Sequence, residues 1–310
     1  MFPGATAARA DNYPSRPIRI VVPTQAGAAQ DILARLLQPH LEKSLGQPII
    51  VENRSGASTM IGTDAVAKAA PDGYTLLLGA NGPILFAPEM ASRRAYEWRR
   101  DFAPITMVSL TPLVLQVHPS VAARSTKEFI ELVRREPGKL TMSSPGPGTT
   151  NHLLSELVQS KLGLNWVTVQ YKGNAPATTD LIAGHVNFNF DQVSVALPYI
   201  KDGRTRALGV TGSQRTAWLP DLPTFEEQGF PDIVGATFTG LMAPAKTPPE
   251  IVARLNAEMR RILSDPQIKS RFTALGADAV PMSADEFRRY LEKEDATWLP
   301  LIRQIGIKVE

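Results

Sequence analysis

The chain has 310 residues, 43% of them apolar, enough for a sizeable core and comfortable for two α/β domains of middling size. Lys and Arg total 33 against 30 Asp and Glu, a net +3 too weak and scattered to argue for a nucleic-acid partner. The absence of cysteine excludes disulfides, thiolate metal sites and a cysteine nucleophile, and no apolar run approaches the roughly 20 residues that span a membrane.

Residues Met1 to Ala10 are mostly small and end in Ala8-Arg9-Ala10 before Asp11. An A-x-A pattern ahead of a folded segment is what a signal peptidase reads. Residues 1–12 are therefore expected to be the remnant of an export signal, its apolar stretch absent, or an ordinary tail. The first reading places the protein in the periplasm.

The first half alternates strands and helices. Ile18 to Val22 is a β-branched run bounded by prolines, a buried strand. Leu33, Leu36, Leu37, Leu41 and Leu45 follow at helical spacing, with Gly46 as the stop. Ile49 to Val51 is a second strand. A helix over 60–70 ends at Pro71-Asp72-Gly73, and Thr75 to Gly79 is a third strand. This order implies a parallel sheet with helices on its faces. The cluster Arg93-Arg94 and Arg99-Arg100, around Tyr96 and Trp98, reads as a solvated loop.

The theme repeats. Leu113 to Val117 is a strand, and Ser125-Thr126-Lys127-Glu128 is a capping box opening a helix to Arg135. Strands are expected at 141–143, 167–170, 186–190 and 207–210, with helices over 150–161 and from Gly173 to Ala183. After a strand from Thr237 to Ala243 the chain turns helical: 248–263, 266–275, and a long helix opened by Ser283-Ala284-Asp285-Glu286. That last helix should bury Phe287, Tyr290, Leu291, Leu301, Ile302 and Ile305, with Pro300 as a kink. No linker separates the two βα sets. Crossing strands near Ile105–Thr111 and Ile233–Thr239 are the expected joints. One lobe should then comprise 13–108 plus 236–310, and the other 109–235.

Catalytic signatures are missing: no G-x-S-x-G, no G-x-x-x-x-G-K-[ST], no H-E-x-x-H. His152 and Glu156 stand one helical turn apart, but two ligands do not make a metal site. No metal, cofactor or catalytic residue is expected. What the chain does offer is a set of polar loops leading from strands into helix N-termini: Thr24 to Asp31, Ala80-Asn81-Gly82, Ser144 to Asn151, and Tyr171 to Asn174. In open α/β sheets such loops line the ligand crevice, and helix N-termini suit a carboxylate without any arginine.

Several runs carry a resemblance. Tyr13-Pro14-Ser15-Arg16-Pro17-Ile18 with Val21-Val22-Pro23, Val51-Glu52-Asn53-Arg54-Ser55-Gly56-Ala57, and Ala67-Lys68-Ala69-Ala70-Pro71-Asp72-Gly73-Tyr74-Thr75 are three of them. Asp101-Phe102-Ala103-Pro104-Ile105, Tyr171-Lys172-Gly173, Leu219-Pro220-Asp221-Leu222-Pro223-Thr224 and Leu275-Gly276-Ala277 continue the match. Together they resemble the Bug family, the extracytoplasmic receptors of tripartite tricarboxylate transporters, from Tyr13 to Glu310.

The resemblance implies a two-lobed, periplasmic-binding-protein (Venus flytrap) α/β fold with a ligand cleft between lobes. It implies high-affinity capture of a small organic acid, such as a dicarboxylate or an aromatic acid, for membrane permease subunits, by a monomer that is not an enzyme and binds no nucleic acid. It also implies a site. Thr24, Gln25, Ala26, Gly27, Ala28, Ala29, Gln30 and Asp31 would hold a ligand carboxylate through N–H groups and waters. Asn81 joins from the third loop. Ser144, Thr149, Thr150 and Asn151 serve from the second lobe, and the Tyr171, Lys172, Gly173 and Asp191 loops close the cleft. One departure stands out: Ala28 occupies a place where the family loop carries a Gly-Gly pair, so its methyl is expected to alter the clamp. The alternatives are an α/β enzyme acting on a small organic acid, or a ligand-sensing component of a signalling system.

Overall fold

A computed structural model describes residues 13–57 and 59–308, so the expected leader at residues 1–12 lies outside the described residues. Three strands, β1 (Ile18–Val22), β2 (Ile49–Asn53) and β3 (Thr75–Ala80), lie parallel with β1 in the middle. Their side chains alternate between two cores. Ile18, Ile20, Val22, Leu76 and Leu78 face one cluster, and Val21 and Leu77 the other. Both faces are covered, as a parallel sheet requires. On the first face lie α1 (Ala29–Leu45), α9 (Pro249–Ser264) and α10 (Pro266–Ala274), which bury Leu33, Leu37, Leu41, Ile251, Leu255, Met259 and Phe272. On the second lie α2 (Met60–Ala67) and α11 (Ala284–Ile305), which bring Val66, Phe287, Leu291 and Trp298. Gly46 closes α1 at φ 68°, a left-handed position that glycine takes without strain.

β4 runs from Phe102 to Val117 as one strand of 16 residues, where the sequence suggests a crossing segment and a separate strand from Leu113. It pairs antiparallel with β9 (Ala236–Pro244) from Phe102 to Pro112, and with β7 (Phe188–Gln192) from Leu113 onward. The exchange of partners falls at Pro112, a residue with no N–H to give to a ladder. Beyond it β4 also pairs with β8 (Arg206–Val210), and β5 (Thr141–Ser144) lies parallel to β6 (Val167–Gln170) and β7. The short β10 (Asp278–Ala279) joins β4 at Ser109 and Leu110. The hydrogen-bonded path therefore runs unbroken through both halves of the sheet, with β4 common to both. In the second half, Phe129, Trp166, Phe188, Phe190 and Phe225 form an aromatic core, its closest ring centroids 4.7 Å apart between Phe129 and Phe188. Helices α5 (Thr126–Arg135), α6 (Thr150–Leu162), α7 (Asn174–Ala183) and α8 (Val193–Lys201) complete this half.

Other local readings also change. Between β3 and β4 the chain forms a π-helical turn, Gly82–Phe86, then α3 (Ala87–Met90) and α4 (Trp98–Asp101). The arginines of the presumed loop face solvent, but Tyr96 and Trp98 are core residues, and Asp295 accepts from Trp98 Nε1 at 2.8 Å. The Ser125 box is half formed: Ser125 Oγ accepts from Glu128 N, but Glu128 Oε2 takes the Arg124 N–H. The Ser283 box is complete. Within α11, Phe287, Leu291, Leu301 and Ile302 are buried, Tyr290 and Ile305 only partly, and the largest fully buried side chain is Trp298.

Candidate ligand-binding cleft

The first loop leaves β1 at Pro23 and enters α1. Gly27 takes a left-handed φ of 84°, while Ala28 is extended at φ −69° and ψ 160°. The Ala28 methyl thus sits in a conformation open to any L-residue, and the glycine freedom this loop needs is supplied at Gly27. Asp31 fixes the loop from within the helix. Its carboxylate accepts from Gly27 N at 2.8 Å and pairs with Arg35 at 3.0 Å. Burial alone would raise its pKa. The Gly27 N–H, Arg35 and Asn53 outweigh that and hold it below the usual carboxylate range. Thr24 is held through its carbonyl by Asn53 Nδ2 at 3.2 Å, which leaves its buried Oγ1 without a partner.

Across the gap, β5 ends at Ser144 and the chain turns through Gly146 and Gly148, both with positive φ, into α6. Thr149 caps that helix: its Oγ1 accepts from His152 N at 3.3 Å and donates to Gly146 O at 2.8 Å. The first-turn N–H groups of Thr150 and Asn151, two residues that line the gap, have no intrahelical carbonyl to bond. Gly148 N donates to His152 Nδ1 at 3.2 Å, and burial pushes the His152 pKa down, favouring a neutral ring.

Asp191, 1% exposed, lies behind this wall. It accepts from Asn174 Nδ2 at 2.8 Å, from Gln192 N at 2.8 Å and from Asn151 Nδ2 at 3.2 Å. Burial pushes its carboxyl up to about 6, although these donors pull the other way. At the floor, Gln192 Nε2 donates to Thr237 Oγ1 at 3.2 Å, which links the end of β7 to β9.

These parts enclose a cleft of about 330 Å³, the scale of a small-molecule site. Pro23, Thr24, Gln30, Ala80, Gly82, Pro83 and Met90 line one side, Gly148, Thr149, Thr150, Asn151 and Asn174 the other, with Gln192 and Thr237 below. Among the described residues, no charged side chain lines it. Of the residues expected from sequence, Thr24, Gln30, Thr149, Thr150 and Asn151 meet there. The others stand outside the lining. Gln25, Ala26, Gly27 and Ala29 face solvent, Ala28 is half-buried, and Asp31 serves the loop. Asn81 is fully buried, donating to Ala236 O and accepting from Phe238 N, each at 2.9 Å. The Ser144 hydroxyl is turned into its own loop toward Gly146. Tyr171 donates to Asp180 at 2.6 Å, Gly173 N bonds Pro145 O, and Lys172 is exposed. Asn174, the last residue of the Tyr171 to Asn174 loop, also lines the cleft although it was not singled out as a ligand contact. The sequence reading missed Gln192 and Thr237, which carry no local signal.

Two βα sets joined through shared antiparallel strands, with a neutral cleft lined from both, define a two-lobed solute-binding protein. A family model for the tripartite tricarboxylate transporter family receptor matches residues 33–307. Protein BugT of Bordetella pertussis is 36% identical over 307 residues, covering 99% of this chain and 94% of its own length. An R. palustris protein solved with adipate has a TM-score of 0.79 at 32% identity, covering 96% of this chain and 99% of its own. MatC from Rhodopseudomonas palustris, with bound malate, has a TM-score of 0.76 at 31% identity, covering 94% and 100%. The chain belongs to the tripartite tricarboxylate transporter receptor family.

Proposed function

We propose that this receptor captures a small carboxylate-bearing solute in the cleft and delivers it to the membrane permease subunits of its transporter. It would act as a periplasmic monomer and perform no chemistry on the ligand. The observation that carries the reading is the lining itself. Thr150 and Asn151 at the start of a helix, with Thr24, Gln30, Asn174, Gln192 and Thr237, line one gap, and among the described residues no charged side chain joins them. Hydrogen bonds to a charged group contribute about 1.5–3 kcal/mol each, so three or four hold a carboxylate after its desolvation. The adipate and malate in the two R. palustris relatives support the same ligand class.

In this reading Thr24, Gln30, Thr149, Thr150, Asn151, Asn174, Gln192 and Thr237 touch the ligand, while Asp31, Asn81, Ser144, Tyr171, Gly173 and Asp191 hold them in place. The lobes would be 13–108 with 236–310, and 109–235. Support for that division comes from β4 and β9, whose pairing ends at Pro112 and Ala236.

Thermal-shift screening against C4 to C8 dicarboxylates and aromatic acids tests the proposal. A binder raises the melting temperature by an amount set by its concentration over Kd. At least one acid should raise it in a saturable way. A flat response across the panel, confirmed by calorimetric titration, would refute carboxylate capture.

A further inference from the structure

The most informative atom in the cleft is Asn151 Oδ1. The Asn151 side chain is 5% exposed, and its amide nitrogen is committed twice, to Phe190 O at 2.8 Å and to Asp191 Oδ1 at 3.2 Å. A backbone carbonyl only accepts, so the reversed amide would set two acceptors face to face at Phe190. The orientation is therefore forced, and it leaves Oδ1 as the end of the amide that is free. Among the described residues no donor meets that oxygen, although Asn151 lines the cleft. Asn174 is anchored to the same Asp191 oxygen at 2.8 Å, which makes the buried carboxylate the positioning group for this wall. Water can reach such an oxygen while the cleft is empty, but a bound ligand that displaces this water without offering a donor leaves the acceptor unpaired and weakens the complex.

We infer that Asn151 Oδ1 is a specificity determinant that selects, among carboxylates, those carrying a neutral hydroxyl donor beside the carboxyl group: 2-hydroxy acids. This rests on the carboxylate reading above and narrows it. The placement follows from the residue itself, because the N–H of Asn151 faces the carboxylate and its side chain stands next to that N–H. A hydroxyl fits better than an ammonium group. Among the described residues no charged side chain lines the gap, and Asp191, the carboxylate behind its wall, already has its oxygens bonded to Asn151, Asn174, the Gln192 N–H and Thr178.

Calorimetric titration of the full chain with succinate, glutarate and adipate, each beside its 2-hydroxy, 2-methoxy and 2-amino derivative, tests this. The 2-hydroxy acid should bind about tenfold or more tightly than its parent at the favoured chain length. The methoxy compound, which cannot donate, should gain nothing. Asn151→Ala should bring the ratio of hydroxy to parent affinity toward one, whatever it does to both affinities. Should that variant fail to fold, the wild-type series decides alone. Equal binding of parent and hydroxy acid, an equal gain from methoxy, tighter binding of the amino acid, or an unchanged ratio in a folded variant each overturns the inference. Binding of the parents without a hydroxyl preference overturns it and leaves carboxylate capture standing. If none of the acids binds, both fall.

Discussion

Asn174 donates from Nδ2 to Asp191 Oδ1 at 2.8 Å, tying a residue of the cleft wall to a carboxylate that solvent does not reach. Burial raises the Asp191 pKa to about 6 from an ordinary 3.8. The folded state therefore holds this proton more tightly than the unfolded chain does. The stability linked to it is fully present below about pH 3.8 and is lost as the pH rises through about 6. Asp191→Asn removes the titration. Between about pH 4 and 7 the difference in unfolding free energy should move by about 2 kcal/mol in favour of the variant. Urea unfolding of both proteins at the two pH values checks it, and a parallel pair of curves would contradict a raised pKa.

The cleft wall predicts which polar contacts matter. Thr24 Oγ1 is buried and unpartnered, while Lys172 is exposed and outside the lining. Thr24→Val should weaken binding of the tightest acid about tenfold, the cost of one hydrogen bond to a charged group. Lys172→Met should change it less than about twofold, as exposed charges are weakly coupled and screened. The reverse ranking in calorimetric titration would mean a salt bridge, not a neutral clamp, holds the ligand.

Asn81 makes its contribution to stability. Its two hydrogen bonds join the end of β3 to Ala236 and Phe238 of β9. Asn81→Ala leaves a buried carbonyl and a buried N–H unpaired, at about 1–3 kcal/mol each. The variant should lose about 2–4 kcal/mol in chemical denaturation. A loss under about 0.5 kcal/mol would show that water replaces both bonds.

Gly240 sits under the Phe287 ring, which a Cβ at that position would overlap. Gly240→Ala should cost about 1–3 kcal/mol through overpacking, since β9 on one side and α11 on the other leave the ring little room to yield. Gly82→Ala is the control, because nothing stands within 4 Å of its added Cβ. Equal melting temperatures for the two variants would mean that the ring moves aside at little cost.

Much of this architecture was legible from residues alone. The leucines of α1 repeat at helical spacing and end on a left-handed glycine, and the three parallel strands are short β-branched or aliphatic runs. The stretch from Gly82 to Met90 was not. Ile84, Leu85 and Phe86 are all buried, so the run has no polar face from which a period could be read. The cleft was half legible for a related reason. Thr149 and Asn151 belong to a recognisable helix entry, whereas Gln192 and Thr237 are 45 positions apart and acquire meaning only when β7 and β9 bring them together. The same folding withdrew Asn81 from the site, as its amide is consumed by β9.

The partner exchange at Pro112 gives β4 a mechanical role. One continuous ribbon serves as the axle of both halves, and register shifts near Pro104–Thr106, Met107–Ser109 and Leu115–Gln116 interrupt its ladders at intervals. A rotation of one half against the other would be spread as a small twist over many peptide units of this ribbon, with no single loop residue as a latch. Melting behaves likewise. Neither half can lose its order without stripping a strand from the other, so the two should melt together in one calorimetric transition whose van't Hoff and measured enthalpies agree.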